Sequence, residues 1–184
     1  MTLNYMIVFW TVLVLVILYI ISTYNSLVKL KNKVDYSIGG IDSILKKRFD
    51  LIPNLISSVQ EYMQFEKDTL NKIVELRQIG KDQIIKKDSE STSLLKSLLV
   101  NVEDYPDLKA NQSFIQLQQS LNEVEEQLSA ARRTYNANVY KYNNKIEIFP
   151  SNILAKIISY QTLPMFEIDD VEKSSLNVKE LFKK

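Results

Sequence analysis

The chain has 184 residues, and the first 28, Met1 to Val28, carry no charged side chain, so all 23 basic and 22 acidic residues fall in the remaining 156. That nearly neutral body is long enough for one domain with one core, and it lacks the strong basic field that a nucleic-acid binder needs. Without Cys or His there are no disulfides, thiolate nucleophiles, imidazole bases or Cys/His zinc sites, and three Gly with four Pro leave too few turns for many short strands.

From Leu3 to Tyr24 the chain runs without a charge. As a helix these residues span about 33 Å, enough for a hydrocarbon core of about 30 Å. Tyr5 and Trp10 lie near one end and Tyr19 and Tyr24 near the other, where aromatic rings favour the lipid–water boundary. The basic amino-terminal region and small-residue cleavage pattern of a signal peptide are missing, so the segment reads as a retained anchor. Lys29, Lys31 and Lys33 follow it. The positive-inside rule then predicts a single pass of the cytoplasmic membrane, with the N-terminus outside and the body in the cytoplasm.

The body is predicted to be all-α. Leu27, Leu30, Val34, Ile38, Ile41 and Leu45 recur by threes and fours with no breaker after the anchor, which predicts one helix continuing out of the membrane. Gly39 and Gly40 interrupt it at about 1 kcal/mol each relative to Ala, a cost that is either offset by close approach of another helix or simply tolerated as drift. Asp50 is a candidate N-cap and Pro53 fits a first turn, so a new helix is expected from Asp50 with a stripe at Ile52, Ile56, Val59, Met63, Glu66, Leu70 and Ile73. The polar stretch from Gly80 to Ser93 reads as a loop. Ser91 to Ser93 offer caps for a short helix carrying Leu94, Leu95, Leu98, Leu99 and Val102, and Pro106 marks a turn or kink.

The clearest helix carries Phe114, Leu117, Leu121, Val124, Leu128, Ala131, Tyr135, Val139, Tyr142, Ile146 and Phe149. Its mean step of about 3.5 is the period of a supercoiled seam, and Pro150 stops it. Ser151 is read as the cap of a short amphipathic piece, followed by an apolar run to Phe166 and a weakly ordered charged tail.

Several blocks in fixed order carry a family resemblance. They are Tyr24 to Val28, Arg48 to Leu55, Tyr62 with Glu66, Tyr105 to Asn111, Ala131 to Asn136, Tyr142-Asn143 and Phe149 to Asn152. On these the sequence resembles the bacterial LemA family from the anchor to about Phe166. Departures are Val124 and Glu126, where the family more often has Thr and Asn, and the missing His before Glu66. The resemblance implies a single-pass membrane protein with a long antiparallel helical bundle, usually described as four helices, and it offers no enzyme activity to carry over.

The resulting layout is an anchor at 3–24, a LemA-like antiparallel helical domain at 25–150, a short amphipathic membrane-proximal segment at 151–168 and a charged tail at 169–184. Helix lengths leave two arrangements open: up to four helices with a reversal near Pro53, or one long hairpin kinked at Pro53 and Pro106. Arg48, Asp50, Pro53, Asn54, Tyr105 and Pro106 are the family-motif residues expected at those turns or kinks.

Candidate sites follow from polar residues on apolar stripes. Glu66 is a carboxylate on an oily line, and an unpaired buried charge costs several kcal/mol, so a partner is expected. Arg132 is that candidate; with Glu125, Asn136 and Asn143 it borders the last seam, which leaves two readings, an interhelical polar layer that fixes register or exposed side chains on a slightly rotated stripe. Phe149, Ile153, Leu154, Ile157 and Ile158 form a candidate membrane-interface face aided by Lys156. Neighbouring carboxylates such as Glu125-Glu126 point to different helix faces, and no glycine-rich phosphate loop is present. The chain is therefore read as non-catalytic, with no metal, cofactor, nucleic acid or small-molecule substrate. Its expected partners are the lipid bilayer, further copies of itself and another membrane protein. Two roles fit: a self-associating scaffold that organises or shapes the membrane, or a tethered adaptor or sensor, for example in protein quality control.

Overall fold

A computed structural model describes residues 2–59, 67–100 and 105–167. Within them lie six α-helices and one 3-10 turn: α1 (Thr2–Val59), α2 (Lys67–Gln78), the 3-10 turn (Lys81–Gln83), α3 (Ile84–Val100), α4 (Pro106–Lys109), α5 (Gln112–Glu147) and α6 (Ser151–Ile157). Among the described residues there is no strand.

The dominant element is α1, 58 residues without a break. From Asn4 to Ser22 its side chains face outward on every side, whereas Thr23, Leu27, Val34, Ile41, Leu45, Phe49, Ile52, Leu55 and Ile56 are buried. The first part is long and apolar enough to cross a membrane. The second has the one-sided burial of a bundle helix.

Pro53 lies inside α1, so of the two arrangements left open at this point the chain takes the one without a reversal, and no new helix starts at Asp50. A proline in a helix interior costs about 3 kcal/mol, through a lost hydrogen bond and a ring clash. Burial of Phe49, Ile52, Leu55 and Ile56 around it outweighs that cost. Asp50 caps nothing. Its carboxylate accepts a hydrogen bond from Arg77 Nη2 of α2 at 2.8 Å, on the surface, while Asn54 is exposed.

Helix α5 is the antiparallel partner of α1. Asn138 meets Ser37, and Glu125 meets Arg48, so position rises along one helix as it falls along the other. The 3.5-residue stripe is the buried face of α5 at Phe114, Leu117, Leu121, Val124, Leu128, Tyr135, Val139 and Tyr142. Asn111 caps the helix, accepting from the amides of Ser113 and Phe114 at 2.9 and 3.3 Å. Pro106 opens the one-turn α4 at its first position, after Tyr105.

The segment Gly80 to Ser93 is not a loop. A 3-10 turn after Gly80 leads straight into α3, with Ser91, Thr92 and Ser93 in mid-helix rather than at a cap. The face of α3 turned to the bundle is Ile84, Lys87, Asp88, Ser91, Leu94 and Leu95. Its spacing is helical, but half of it is polar. Of the expected stripe from Ile52 to Ile73, Ile73 is buried on α2; Met63 and Glu66 lie outside the described residues, as does Val102.

Pro150 ends α5 as expected, but Ser151 is not the cap of α6. The N-cap is Pro150 itself. The buried Ser151 hydroxyl lies 2.7 Å from Lys145 O and 2.9 Å from Ile148 O, so it satisfies carbonyls at the end of α5 instead. At the other end of α6, Ser159 takes a left-handed conformation (φ 57°). The amides of Ser159 and Tyr160 close back on Lys156 O and Ala155 O at 3.1 and 2.9 Å, a Schellman ending. That ending turns the chain so that residues 161–167 run back along α5.

Neither Gly39 nor Gly40 has any atom within 4 Å of where a Cβ would sit. Of the two readings open for this pair, close approach of another helix and tolerated drift, the open space around both positions favours the second.

Candidate functional site

Three helices bring six ionisable side chains together at mid-body: Asp42 and Arg48 from α1, Lys87 and Asp88 from α3, and Glu125 and Arg132 from α5. At the centre is a closed ring. Arg132 presents the Nε–Nη2 edge of its guanidinium to Asp88, with bonds of 2.6 and 2.7 Å to the two carboxylate oxygens. Its Nη1 reaches Glu125 Oε1 at 3.1 Å. The other oxygen of Glu125 accepts from Arg48 Nη2. Arg48 Nη1 closes the ring 3.7 Å from Asp88 and donates to Ser91 Oγ and Thr92 Oγ1 at 3.1 and 2.9 Å. Two positive and two negative groups alternate around it. A planar guanidinium with five donors matches this demand in a way that a lysine ammonium does not.

Burial sets the stakes. Arg48 and Asp88 are each 4% exposed and Ser91 is fully buried, whereas the Glu125 side chain keeps 41% of its surface in solvent. Burial pushes the Arg48 guanidinium below its ordinary value, against the pull of Glu125 and Asp88. Arg132 stands above its ordinary value: burial acts downward there too, but hydrogen bonds and charge from Asp88 and Glu125 together outweigh it. Both arginines remain cations. Beside the ring, Lys87 is 5% exposed; it pairs with Asp42 at 3.0 Å and lies 5.7 Å from the centre of the Phe49 ring.

A second polar group lies further along the same border of α5. Asn143 donates to Leu163 O and accepts from Leu163 N, both at 2.9 Å; Asn136 does the same with Phe166 O and N, again at 2.9 Å. Each side-chain amide thus imitates a strand partner for the extended segment. The spacing is commensurate: seven residues of helix rise about 10.5 Å, and three of extended chain cover about 10 Å. Between the two clamps Tyr135 Oη donates to Pro164 O at 2.9 Å, and the rings of Tyr135 and Phe166 meet edge to face at 5.1 Å. Burial, then the charge of Asp35, raises the Tyr135 hydroxyl above its ordinary value; burial, Tyr160 and Asp35 do the same for Tyr142.

The four border residues of α5 therefore serve two places. Glu125 and Arg132 enter the charge ring, whereas Asn136 and Asn143 hold the returning strap. Glu66 lies outside the described residues, and the carboxylate that accepts two hydrogen bonds from Arg132 is Asp88. Of the motif residues, Arg48 belongs to the ring and Asp50 to the surface pair. Pro53 and Asn54 continue α1, and Tyr105 with Pro106 opens α4. Asp88, Ser91, Lys87 and Asp42 were missed from sequence, since the stretch holding three of them lacks an apolar stripe.

The arrangement suits holding rather than turnover. Concave surfaces line open strips of helix, one of them, Met6 to Leu15, entirely on α1. Among the described residues no group of three or more His, Cys, Asp or Glu side chains is placed to hold a metal ion. The acidic groups of the ring are occupied by arginines. Fold and site together define a helical hairpin whose first helix begins with a stretch fit to span a membrane.

A family model described as the LemA family matches residues 37–179, and the chain belongs to that family. It is also similar to Protein LemA of Metamycoplasma hominis, 26% identical over 163 residues that cover 85% of this chain and 74% of that protein.

Proposed function

We propose that this chain is a membrane-anchored, non-catalytic helical scaffold that self-associates and organises or shapes the bacterial cytoplasmic membrane. The observation that carries the reading is the continuity of α1, an apolar outward-facing stretch running without a break into the bundle. Such a helix fixes the body upright on its anchor and orients every copy alike. The ring and the strap supply rigidity without using the outer faces of α1 and α5, which stay free for neighbouring copies. Lys29, Lys31 and Lys33 after the span support a cytoplasmic body.

The test is the mass of the particle extracted in mild detergent, measured by light scattering on a sizing column. A large homo-oligomer is expected, and a monomer overturns the scaffold. One observation favours a second reading, a tethered adaptor for another membrane protein: α5 grips an extended segment through backbone-reading amides, a mode by which extended peptides are recognised. That reading predicts a small particle recovered with one partner.

A further inference from the structure

We infer that the end of the body nearest the anchor is a lipid-contacting foot, in which Phe149, Ile153 and Ile157 enter the headgroup–acyl boundary of the bilayer that α1 crosses. Three observations meet here. First, register places this end at the membrane. Asn138 donates to Ser37 Oγ at 2.8 Å and reaches Lys33 O at 3.5 Å, and α5 then descends about 13.5 Å to Glu147. From Lys33 to Ser37 down to Tyr24, the end of the apolar stretch, is about 13.5–19.5 Å along α1. Helix α5 therefore ends within about 6 Å of the level at which the span ends, and α6, packed on both α1 and α5, lies just below. Burial on α1 begins at the same level, with Thr23 and Leu27.

Second, the exposed side chains there are unusually oily. Ile148 (51%), Phe149 (75%), Ile153 (54%) and Ile157 (73%) face outward, while Ser151 and Ala155 of α6 face the bundle. Elsewhere on the described body the exposed large hydrophobic side chains are Tyr36, Val74, Tyr140 and Met165, and both tyrosines carry a polar hydroxyl. A concentrated apolar patch calls for a cover. Third, the exposed Lys156 sits on the same short helix, and Lys145 is half-buried just above it. Both can reach lipid phosphates while their stems stay on the apolar face. The occupant is the bilayer surface to which the chain is already tethered, so its local concentration is high without a separate binding step. Leu154 and Ile158, half-buried, form the inner edge of the foot.

The inference rests on the reading of α1 as an anchor, and one experiment separates the two. The chain has no cysteine, so single cysteines at Ile153, Ile157, Val74 and Leu15 take an environment-sensitive fluorophore cleanly. All four positions are exposed, so labelling leaves the core intact. The full chain is reconstituted in phosphatidylcholine–phosphatidylglycerol vesicles containing lipids brominated near the headgroup, and for position 15, about 13.5 Å from the end of the span, in a parallel set brominated deep in the acyl chains. The labels at 153 and 157 are expected to be quenched at least about threefold more than that at 74, as for side chains seated in the interface. Quenching at 15 but water-like behaviour at 153 and 157 overturns the foot and leaves the anchor standing; water-like behaviour at 15 overturns both. Labels at 153 and 157 shielded from lipid and aqueous quenchers alike overturn it in favour of a second copy covering the patch.

Discussion

Replacing Asp88 by Asn tests the ring most directly. Asn keeps the volume and one acceptor but removes one of two negative charges, leaving the buried Arg48 and the half-buried Arg132 to share Glu125 alone. Removing one partner of a buried ion pair costs about 3–5 kcal/mol, because the surviving charge stays desolvated. Glu125 is well exposed and already bridges both guanidiniums, so the low end, about 3 kcal/mol, is expected. For a body of this size that lowers Tm by about 6–12 °C. Thermal unfolding of the full chain in detergent micelles, followed by far-ultraviolet circular dichroism, measures it. A loss below about 1 kcal/mol refutes the ring as a stabilising closed circuit. The quadruple replacement Arg48→Met, Asp88→Leu, Glu125→Gln, Arg132→Leu removes all four charges of the circuit as a unit and is expected to be neutral or stabilising by about 1–4 kcal/mol. If both variants lose equal stability, packing rather than charge explains the site.

Three further outcomes follow from the strap and from α1. Asn143→Asp exchanges the donor to Leu163 O for a carboxylate oxygen; a loss of about 1–3 kcal/mol in strap closure is expected, read as faster hydrogen exchange at the Leu163 and Phe166 amides. Tyr135 and Tyr142 have raised values in the folded chain. Above about pH 10 the unfolded chain has therefore lost protons that the folded chain retains, and stability falls as pH rises further; Tyr135→Phe is expected to make that alkaline loss shallower in a pH titration of Tm. Gly39→Ala and Gly40→Ala add a methyl into open space and are each expected to stabilise α1 by about 1 kcal/mol; a destabilised or smaller detergent particle would show that a neighbouring copy occupies that space.

What was legible in the sequence had a local signature. The seam of α5 has eight buried positions, with the half-buried Ala131 completing the steps of three and four, and the apolar run of α1 needs only length and composition. The polar border at Glu125, Arg132, Asn136 and Asn143 stands out because charge and amide sit beside oil. Its partners were hidden for a physical reason. A helix that packs onto charge shows charge on its inner face, so Lys87, Asp88 and Ser91 erased the apolar period that would have revealed α3. At Pro53 a local rule was outvoted by burial on either side. The strap was invisible for a further reason: nothing in Asn136 and Asn143 announces that their spacing matches three extended residues some twenty or thirty positions later.

The unbroken course of α1 also makes it a lever. Arg48 lies about 36 Å along the axis from Tyr24, with no hinge between them. A change of about 10° in tilt, well within what bilayers of different thickness impose on a spanning helix, swings that far point sideways by about 6 Å. With the apolar stretch of α1 in a bilayer, as proposed above, a squeeze or stretch of the surrounding lipid would reach the arginine circuit as a lateral displacement larger than a hydrogen bond is long.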